Sequence, residues 1–222
     1  MGPTQTRGLK TPFEEKRNNV KITVVGGSQG TGAQLAVAAV RAGHDVTAVS
    51  RSGNVPDGVT AVVGSATDAE VARAAVSGAD AVVVTVGDAK GVKHARAAVT
   101  RSIVAAMRET GVRRLVVQSS LGAGDSGKQL PVLLRQLMKV LLAKPLADHN
   151  EQEKAVRESG LDWTIVRPTG LKDAPARGTW RAYEVSDGET LGGTIPRVDL
   201  AAFMLEVVAD DSAVAKAFGI SS

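Results

Sequence analysis

Three glycines in one short stretch carry the clearest chemical signal of this sequence. Gly26, Gly30 and Gly32 lie between an apolar run at 21–25 and an alanine-rich stretch that begins at 33. Glycines at such a junction let the backbone turn tightly and approach a phosphate, whose charge is met by free N–H groups at the start of a helix. The pattern therefore predicts a pyrophosphate-binding loop. The alternative is a glycine-rich turn that binds nothing.

The second predicted strand indicates which dinucleotide such a loop would hold. An acidic residue about twenty positions after the first glycine often binds the ribose 2′-hydroxyl of NAD, and this count leads to Asp45. Asp45 begins its strand, however, so we expect its carboxylate at the opposite edge of the sheet. Arg51 stands at the other end, between Ser50 and Ser52, where a guanidinium suits a 2′-phosphate. We therefore expect NADP(H) to be preferred, with NAD(H) possible, unless Arg51 stacks on adenine or points into water.

Alternating strands and helices must position these residues. Runs rich in β-branched residues predict strands at 21–25, 45–50, 59–64, 80–86, 113–119 and 162–167. Alanine-rich stretches predict helices at 31–42, 68–77, 90–109, 130–142, 147–159 and 197–209. Because only 3% of the residues are aromatic, the core must consist of aliphatic side chains, which is typical of a parallel sheet buried on both faces. The sequence predicts an α/β protein with a Rossmann-type doubly wound parallel sheet and a ligand at the carboxyl ends of its strands.

The 222 residues fit one such domain at 21–222, preceded by a disordered or artificially added segment at 1–20. The rhythm breaks at 170–196, where seven residues are Gly or Pro. This segment is either a small C-terminal lid on the substrate side or a surface excursion, and Trp180 within it either closes the pocket or packs the lid. The basic, amphipathic stretch at 130–144 is expected to cover the acceptor site or form a subunit contact, in preference to binding a membrane surface.

Composition excludes several classes of function. The chain has no Cys and only three scattered His, so disulfides, thiol nucleophiles and metal sites are not expected. The formal net charge of +4 is partly due to the first 18 residues, and no basic cluster is interleaved with aromatic residues, so nucleic acid is not an expected partner. The opening residues lack the apolar run of a signal peptide and no stretch has 18 apolar residues in a row, so neither a signal peptide nor a membrane span is expected. We expect a cytoplasmic monomer or homodimer acting on a small molecule.

Several short segments together resemble a known superfamily. They are the glycine loop at 26–32, Arg51 after the second strand, Gly87 after the fourth, Ser119 and Ser120 after the fifth, and 166–168 in the sixth. This set resembles the short-chain dehydrogenases/reductases, and more narrowly their atypical NmrA-like branch. The stretches 157–168 and 195–204 are similar to the flavin reductase/biliverdin reductase B group. The middle glycine of the loop stands one place later than in that branch.

The resemblance implies a role for each matching residue. The pyrophosphate would be held by Gly26, Ser28, Gln29, Gly30 and Gly32, with Arg51 at the adenosine phosphate. The adenosine and its ribose would be bordered by Thr85, Val86 and Gly87. The nicotinamide would lie beside Ser119 and Ser120, with Pro168 and Thr169 orienting its carboxamide. Gly64 and Ser65 stand where the family often has an acidic residue beside adenine.

The superfamily's catalytic Tyr-x-x-x-Lys is absent. The corresponding positions are 145–149, with Pro145 in place of the tyrosine and His149 in place of the lysine, and the only tyrosine is Tyr183. A carbonyl reductase needs a positioned proton donor, whereas hydride transfer to a flavin can draw its proton from solvent. The resemblance therefore implies an NAD(P)H-dependent reductase of a flavin, quinone or similar conjugated acceptor. The alternatives are a non-catalytic NADP(H) sensor, and an epimerase or dehydratase, which Pro145 weakens.

Ser120 and His149 are the candidate catalytic residues. Ser120 matches a serine that borders the acceptor in the biliverdin reductase B group, whereas that group's histidine after strand six is Gly170 here. His149 has three interpretations: an imidazole near the acceptor or the ribose, a neighbour of Asp148 at a helix N-terminus, or a solvated surface residue. Ser119 and Ser120 could equally satisfy backbone groups at a strand end.

Overall fold

The β-branched runs of the sequence form strands, and the alanine-rich stretches between them form helices. The computed structural model describes residues 19–87, 95–131, 135 and 143–222. The strands are β1 (Lys21–Val25), β2 (Asp45–Ser50), β3 (Thr60–Val63), β4 (Ala81–Val84), β5 (Arg114–Gln118), β6 (Asp162–Pro168), β7 (Gly170–Lys172), β8 (Arg181–Tyr183), β9 (Thr194–Pro196) and β10 (Lys216–Ser221). The α-helices are α1 (Gly30–Arg41), α2 (Ala69–Val76), α3 (Ala95–Thr110), α4 (Ala143–Arg157) and α5 (Arg197–Val208).

Eight of the strands form one sheet in the order β3-β2-β1-β4-β5-β6-β10-β8. All neighbours in it are parallel except β8, which runs antiparallel to β10 at the edge. The chain order reverses between β1 and β4, which pair side by side. In an open parallel sheet, ligands bind beyond the carboxyl ends of the strands at such a reversal. The topology confirms the predicted Rossmann-type fold and locates the region in which the site must lie.

Each face of the sheet is covered by its own layer of helices. Alternate residues of a strand point to opposite faces, so Val24 packs in one apolar cluster and Val25 in the other. The first cluster includes Leu35 of α1 and Leu200 of α5. The second includes residues of α2, α3 and α4, with Ile103 of α3 among them. Both faces of the parallel strands are therefore buried, as the aliphatic composition predicted.

The structure corrects several predicted boundaries. The strand β10 was not predicted, although it lies within the main sheet between β6 and β8. The helix predicted at 147–159 is described from Ala143 onwards and contains Pro145. Residues 1–18 of the segment predicted at 1–20, the start of the helix predicted at 90–109 and most of that at 130–142 lie outside the described residues.

The segment at 170–196 is tied to the body of the fold. Its strands β7 and β9 pair with each other, while β8 extends the main sheet. Asp199 of α5, which is 2% exposed, accepts hydrogen bonds from the backbone N–H groups of Arg177 and Gly178. The hydroxyl of Ser221 donates to the carbonyl of Gly192. The segment is thus anchored at several points. No helix in the described ranges is both long and apolar enough to cross a membrane.

Candidate functional site

A cleft of about 1080 Å³ opens at the carboxyl ends of the parallel strands. Its floor includes the loop after β1 and the residues that follow β2, β4, β5 and β6, and the segment at 170–196 contributes Gly170, Leu171 and Gly192 to one wall. That segment therefore faces the cleft, which favours the lid over the surface excursion. The predicted site residues that line the cleft are Gly26, Ser28, Gln29, Gly30, Arg51, Thr85, Val86, Gly87, Ser119, Ser120, His149, Pro168 and Thr169.

Gly32 does not line the cleft but lies beneath the loop. A Cβ at this position would lie 2.2 Å from the carbonyl oxygen of Gly26 and 2.4 Å from Oγ1 of Thr85. The same Thr85 hydroxyl donates to the carbonyl of Val25 at 3.2 Å, which links the loop to the end of β4. Gly26 itself has a φ of +91°, a conformation that favours glycine. Close packing therefore requires a glycine at position 32, and the positive φ favours one at position 26.

The start of α1 is suited to an anionic group. Gln29 occupies the N-cap position, but its side chain makes no capping hydrogen bond, so the first N–H groups of the helix have no side-chain partner. The hydroxyl of Thr31 is buried with no hydrogen-bond partner among the described residues. An uncapped N-terminus and an unpartnered hydroxyl beside glycines that leave the backbone open fit a dinucleotide pyrophosphate.

The end of the cleft next to β2 is polar and carries the positive charge of Arg51. Arg51 is exposed after β2 and lines the cleft, and it forms no ion pair within the described part of the chain. Ser65 and Thr67 also line this end, with their hydroxyl oxygens 2.8 Å apart. The nearby Asp68 caps α2 through the N–H groups of its first turn. Asp45 lies at the opposite edge of the sheet, where its carboxylate accepts from Asn19.

At the other end of the cleft, Ser119 belongs to a buried polar network. Its hydroxyl donates to Oε1 of Glu153 at 2.7 Å. The guanidinium of Arg167 donates to both oxygens of Glu153, at 2.9 Å and 2.6 Å, and also pairs with Asp125 at 2.8 Å. Arg167 is completely buried and Glu153 is 2% exposed. Ser119 therefore bonds to a side chain, whereas Ser120 donates to the carbonyl of Leu121 at 3.3 Å and matches the alternative of a serine that satisfies the backbone.

His149 lies in α4 with its imidazole facing Ser119. The side chain is 8% exposed, so the solvated-surface interpretation is wrong. Its Nδ1 lies 3.5 Å from Oγ of Ser119 and 3.3 Å from Oε1 of Gln152. Burial, with a further contribution from the nearby Arg96, lowers the pKa of His149 to about 4, against the opposing effect of the Gln152 hydrogen bond. The imidazole is therefore neutral at neutral pH.

Asp148 does not cap the helix that contains it. It lies inside α4, and its carboxylate accepts hydrogen bonds from the backbone N–H groups of Arg96 and Ala97 at 3.1 Å each. These groups belong to the first turn of α3, whose N-terminus attracts a negative charge. Asp148 is therefore not the N-cap of α4, and the interpretation of His149 as its neighbour at the N-terminus of that helix is wrong. Asp148 instead joins α4 to α3 next to the cleft.

Two arginines in the cleft were not predicted. Arg96 is 7% exposed and lines the cleft from the start of α3. Arg197, the first residue of α5, lies beside Gly30 of the glycine loop and pairs with Asp173 at 3.0 Å. Nothing in the local sequence indicated Arg96. Arg197 does follow Pro196 at a predicted helix start, a signal that could have been used.

Two aromatic residues of the segment at 170–196 are not among the residues that line the cleft. Trp180 packs edge-on against Phe203 with their ring centroids 6.2 Å apart, so it packs the lid and is not among the lining residues. Tyr183 packs beside Leu121, Leu130 and Leu191. Among the described residues that line the cleft, none is a tyrosine or a lysine. Pro145 is likewise outside the lining.

The sheet order, the glycine loop and the cleft at the strand reversal define a Rossmann-type dinucleotide-binding fold. The family described as NAD(P)H-binding matches residues 26–211. The chain belongs to this NAD(P)H-binding family. Its fold and site residues fit an atypical short-chain dehydrogenase/reductase.

Solved structures of low sequence identity share this fold. One is a short-chain dehydrogenase/reductase from Veillonella parvula in complex with NADP, 19% identical, with a TM-score of 0.78 and coverage of 91% of this chain and 94% of that one. Another is an anaerobilin reductase from Escherichia coli O157:H7, 23% identical, with a TM-score of 0.76 and coverage of 90% and 96%. A chloroplastic protein of Arabidopsis thaliana is 33% identical over 79 residues, which span 36% of this chain and 28% of that protein.

Proposed function

We propose that this protein is an NADPH-dependent reductase that transfers hydride from nicotinamide to a flavin, a quinone or a similar conjugated acceptor. The observation that carries the proposal is the composition of one cleft. One end has the glycine loop and Arg51, and the other has Ser119, Ser120 and His149. Between them the described lining residues include no tyrosine or lysine.

The chain's own groups suit the cofactor along the length of the cleft. The N–H groups at the start of α1 would bind the pyrophosphate, with Gly26 and Gly30 allowing its close approach. Arg51 would bind a 2′-phosphate, which favours NADPH over NADH. Thr85, Val86 and Gly87 would border the adenosine and its ribose, and Pro168 and Thr169 the carboxamide. When bound, NADPH would supply the hydride.

The acceptor end lacks a strong proton donor. The Ser119 hydroxyl is engaged by Glu153, and the His149 imidazole is neutral because its pKa is about 4. A substrate that needs a proton from the protein, such as an isolated ketone, would be poorly served. A conjugated ring can accommodate the electron pair and take its proton from water. The described site would therefore act mainly by positioning the nicotinamide against the acceptor and by excluding side reactions.

The structural relatives support both parts of this proposal. The Veillonella parvula protein was crystallised with NADP, which supports the nicotinamide cofactor. The Escherichia coli O157:H7 protein is an anaerobilin reductase, which supports an acceptor that is not a simple carbonyl compound. Neither likeness names the acceptor of this chain, since both identities are below a quarter.

The direct test is to mix the purified protein with NADPH and one of FMN, menadione or biliverdin, and to follow the loss of nicotinamide absorbance. We expect oxidation of NADPH with at least one acceptor, at a rate proportional to protein concentration. The variant Gly32→Ala serves as the matched negative control because it disrupts the loop. Tight NADPH binding with no oxidation in any mixture would contradict the reductase and leave the nucleotide sensor as the function.

A further inference from the structure

In the polar network behind the cleft, the donor and acceptor of each hydrogen bond can be assigned by starting from Glu153. Arg167 donates to both carboxylate oxygens, so Glu153 is held as a charged acceptor with no proton to give. The same carboxylate accepts the hydroxyl of Ser119 at 2.7 Å. A serine hydroxyl has a single proton. Ser119 therefore offers only lone pairs to its remaining neighbour, His149.

The second neighbour of His149 is also an acceptor. Gln152 uses its Nε2 to donate to Oγ1 of Thr100 at 3.1 Å, which leaves Oε1 facing Nδ1 of His149 at 3.3 Å. Nδ1 thus faces two acceptor oxygens, from Ser119 and Gln152. The arrangement is satisfied when Nδ1 carries the proton of the neutral imidazole. The other ring nitrogen, Nε2, is then unprotonated.

Nε2 of His149 is the ring nitrogen left for a molecule in the cleft. It makes no hydrogen bond within the described part of the chain and is not among the described buried atoms that lack a partner, while His149 itself lines the cleft. The free lone pair is therefore available to a bound molecule. The positive charge of Arg96 nearby and the burial of the ring both keep the imidazole neutral.

We propose that His149 presents Nε2 as a hydrogen-bond acceptor, so that the ligand facing it must carry an N–H or O–H donor. This rests on the proposed function and narrows its substrate class. An oxidised quinone has only carbonyl acceptors and would place two lone pairs against each other. A flavin or an open-chain tetrapyrrole carries ring N–H groups and matches the site. The ribose hydroxyls of the nicotinamide nucleotide are the second source of the same donor chemistry.

The tautomer is tested first, on the protein without ligand. Nitrogen-15 labelling of histidine and long-range proton–nitrogen NMR distinguish a protonated ring nitrogen from an unprotonated one. His44→Gln and His94→Gln variants assign the three histidine signals. We expect His149 to show a protonated Nδ1 and an unprotonated Nε2 at neutral pH. The opposite tautomer, or an imidazolium, would overturn the proposal.

A double variant tests whether the two acceptor oxygens keep the proton on Nδ1. The double variant Ser119→Ala with Gln152→Leu removes both partners of Nδ1 and should allow both tautomers to appear. Ser159→Ala is the matched control, since Ser159 is also buried but bonds the backbone N–H of Leu161, away from the imidazole. An unchanged Nδ1 proton in the double variant would contradict this cause. If that variant does not fold, the spectrum of the natural protein still decides the tautomer.

The ligand class is tested by equilibrium binding of FMN, menadione and NADP⁺. His149→Gln can keep an acceptor oxygen near the position of Nε2, whereas His149→Leu cannot. We expect His149→Leu to lose roughly twofold to tenfold in affinity for the donor-bearing ligand, His149→Gln to recover most of it, and menadione to bind both variants alike. A loss for FMN assigns the donor to the hydride acceptor, and a loss for NADP⁺ assigns it to the nicotinamide nucleotide.

The outcomes separate this inference from the proposed function. Unchanged affinity of His149→Leu for both FMN and NADP⁺ would overturn the ligand assignment, even if NADPH is oxidised. Failure of the natural protein to bind any nicotinamide nucleotide would overturn the proposed function, while the NMR spectrum would still determine the tautomer.

Discussion

The neutral imidazole of His149 predicts how acid destabilises this protein. In the folded state its pKa lies near 4, against 6.5 for an unperturbed histidine, chiefly because the ring is buried. Between these two values the unfolded chain binds a proton that the folded protein does not. The free energy of unfolding therefore falls as the pH decreases through this window. The stability that the neutral imidazole contributes is fully present above the pKa of 6.5 in the unfolded chain. It is lost as the pH falls towards the pKa of about 4 in the folded protein.

The magnitude follows from the two pKa values. Each unit of separation corresponds to about 1.4 kcal/mol, so at about pH 4.5 the loss due to this one group is about 2.5 kcal/mol relative to neutral pH. A variant with a non-titrating side chain at the position lacks this loss. His149→Gln should therefore lose less stability on acidification than the natural protein, by about 2.5 kcal/mol.

Urea unfolding at about pH 7 and about pH 4.5, followed by circular dichroism without ligand, measures the effect. The quantity compared is the change in unfolding free energy of each protein between the two conditions. Carboxylates such as Asp148 and Glu153, which lie near the ring, are present in both proteins, so their contribution largely cancels. If both proteins lose the same stability, burial does not keep the imidazole neutral and the account of the site is wrong.

Three further predictions concern the loop, the adenosine end and the buried network. Arg51→Ala should weaken the binding of NADPH roughly tenfold to a hundredfold more than the binding of NADH, because a charge-assisted contact is lost. The control variant Arg41→Ala should show no such difference. Calorimetric titration measures both affinities, and equal losses for the two nucleotides would refute the assignment of Arg51 to the 2′-phosphate. Gly32→Ala should cost about 1–3 kcal/mol of stability through overpacking and abolish nucleotide binding. The control variant Gly127→Ala should bind the nucleotide normally, because a Cβ at this position makes only ordinary contacts. Glu153→Gln should cost about 3 kcal/mol, because the completely buried Arg167 loses its buried charged partner and keeps only the exposed Asp125; a thermal midpoint equal to that of the natural protein would contradict this.

The features that the sequence predicted correctly are those set by neighbouring residues. The glycine loop and the helix after it depend on backbone conformation and on contacts between nearby positions, such as Gly26 and Gly32. The β-branched runs form buried strands because their side chains pack on both faces of a parallel sheet. The position of Arg51 in the cleft also followed from strand direction alone, since successive parallel strands end at the same edge.

Strands that pair over long distances were less predictable. The strand β10 was missed because it contains Gly219 and Phe218 among mixed residues and becomes a strand only by pairing with β6 and β8. The role of Asp148 was also misjudged, since its local pattern suited a helix cap. In the fold its carboxylate meets the N-terminus of a different helix.

The sequence by itself determined the class of fold, the glycine loop between β1 and α1, and the absence of the tyrosine–lysine pair. Only the tertiary structure decided the chemistry of the acceptor end. Ser119 follows β5, Arg167 lies in β6, and His149 and Glu153 lie in α4. The types of these residues alone do not say which of them donates and which accepts. That polarity depends on burial and on hydrogen-bond partners that packing brings together, and neither is encoded in the spacing of the residues along the chain.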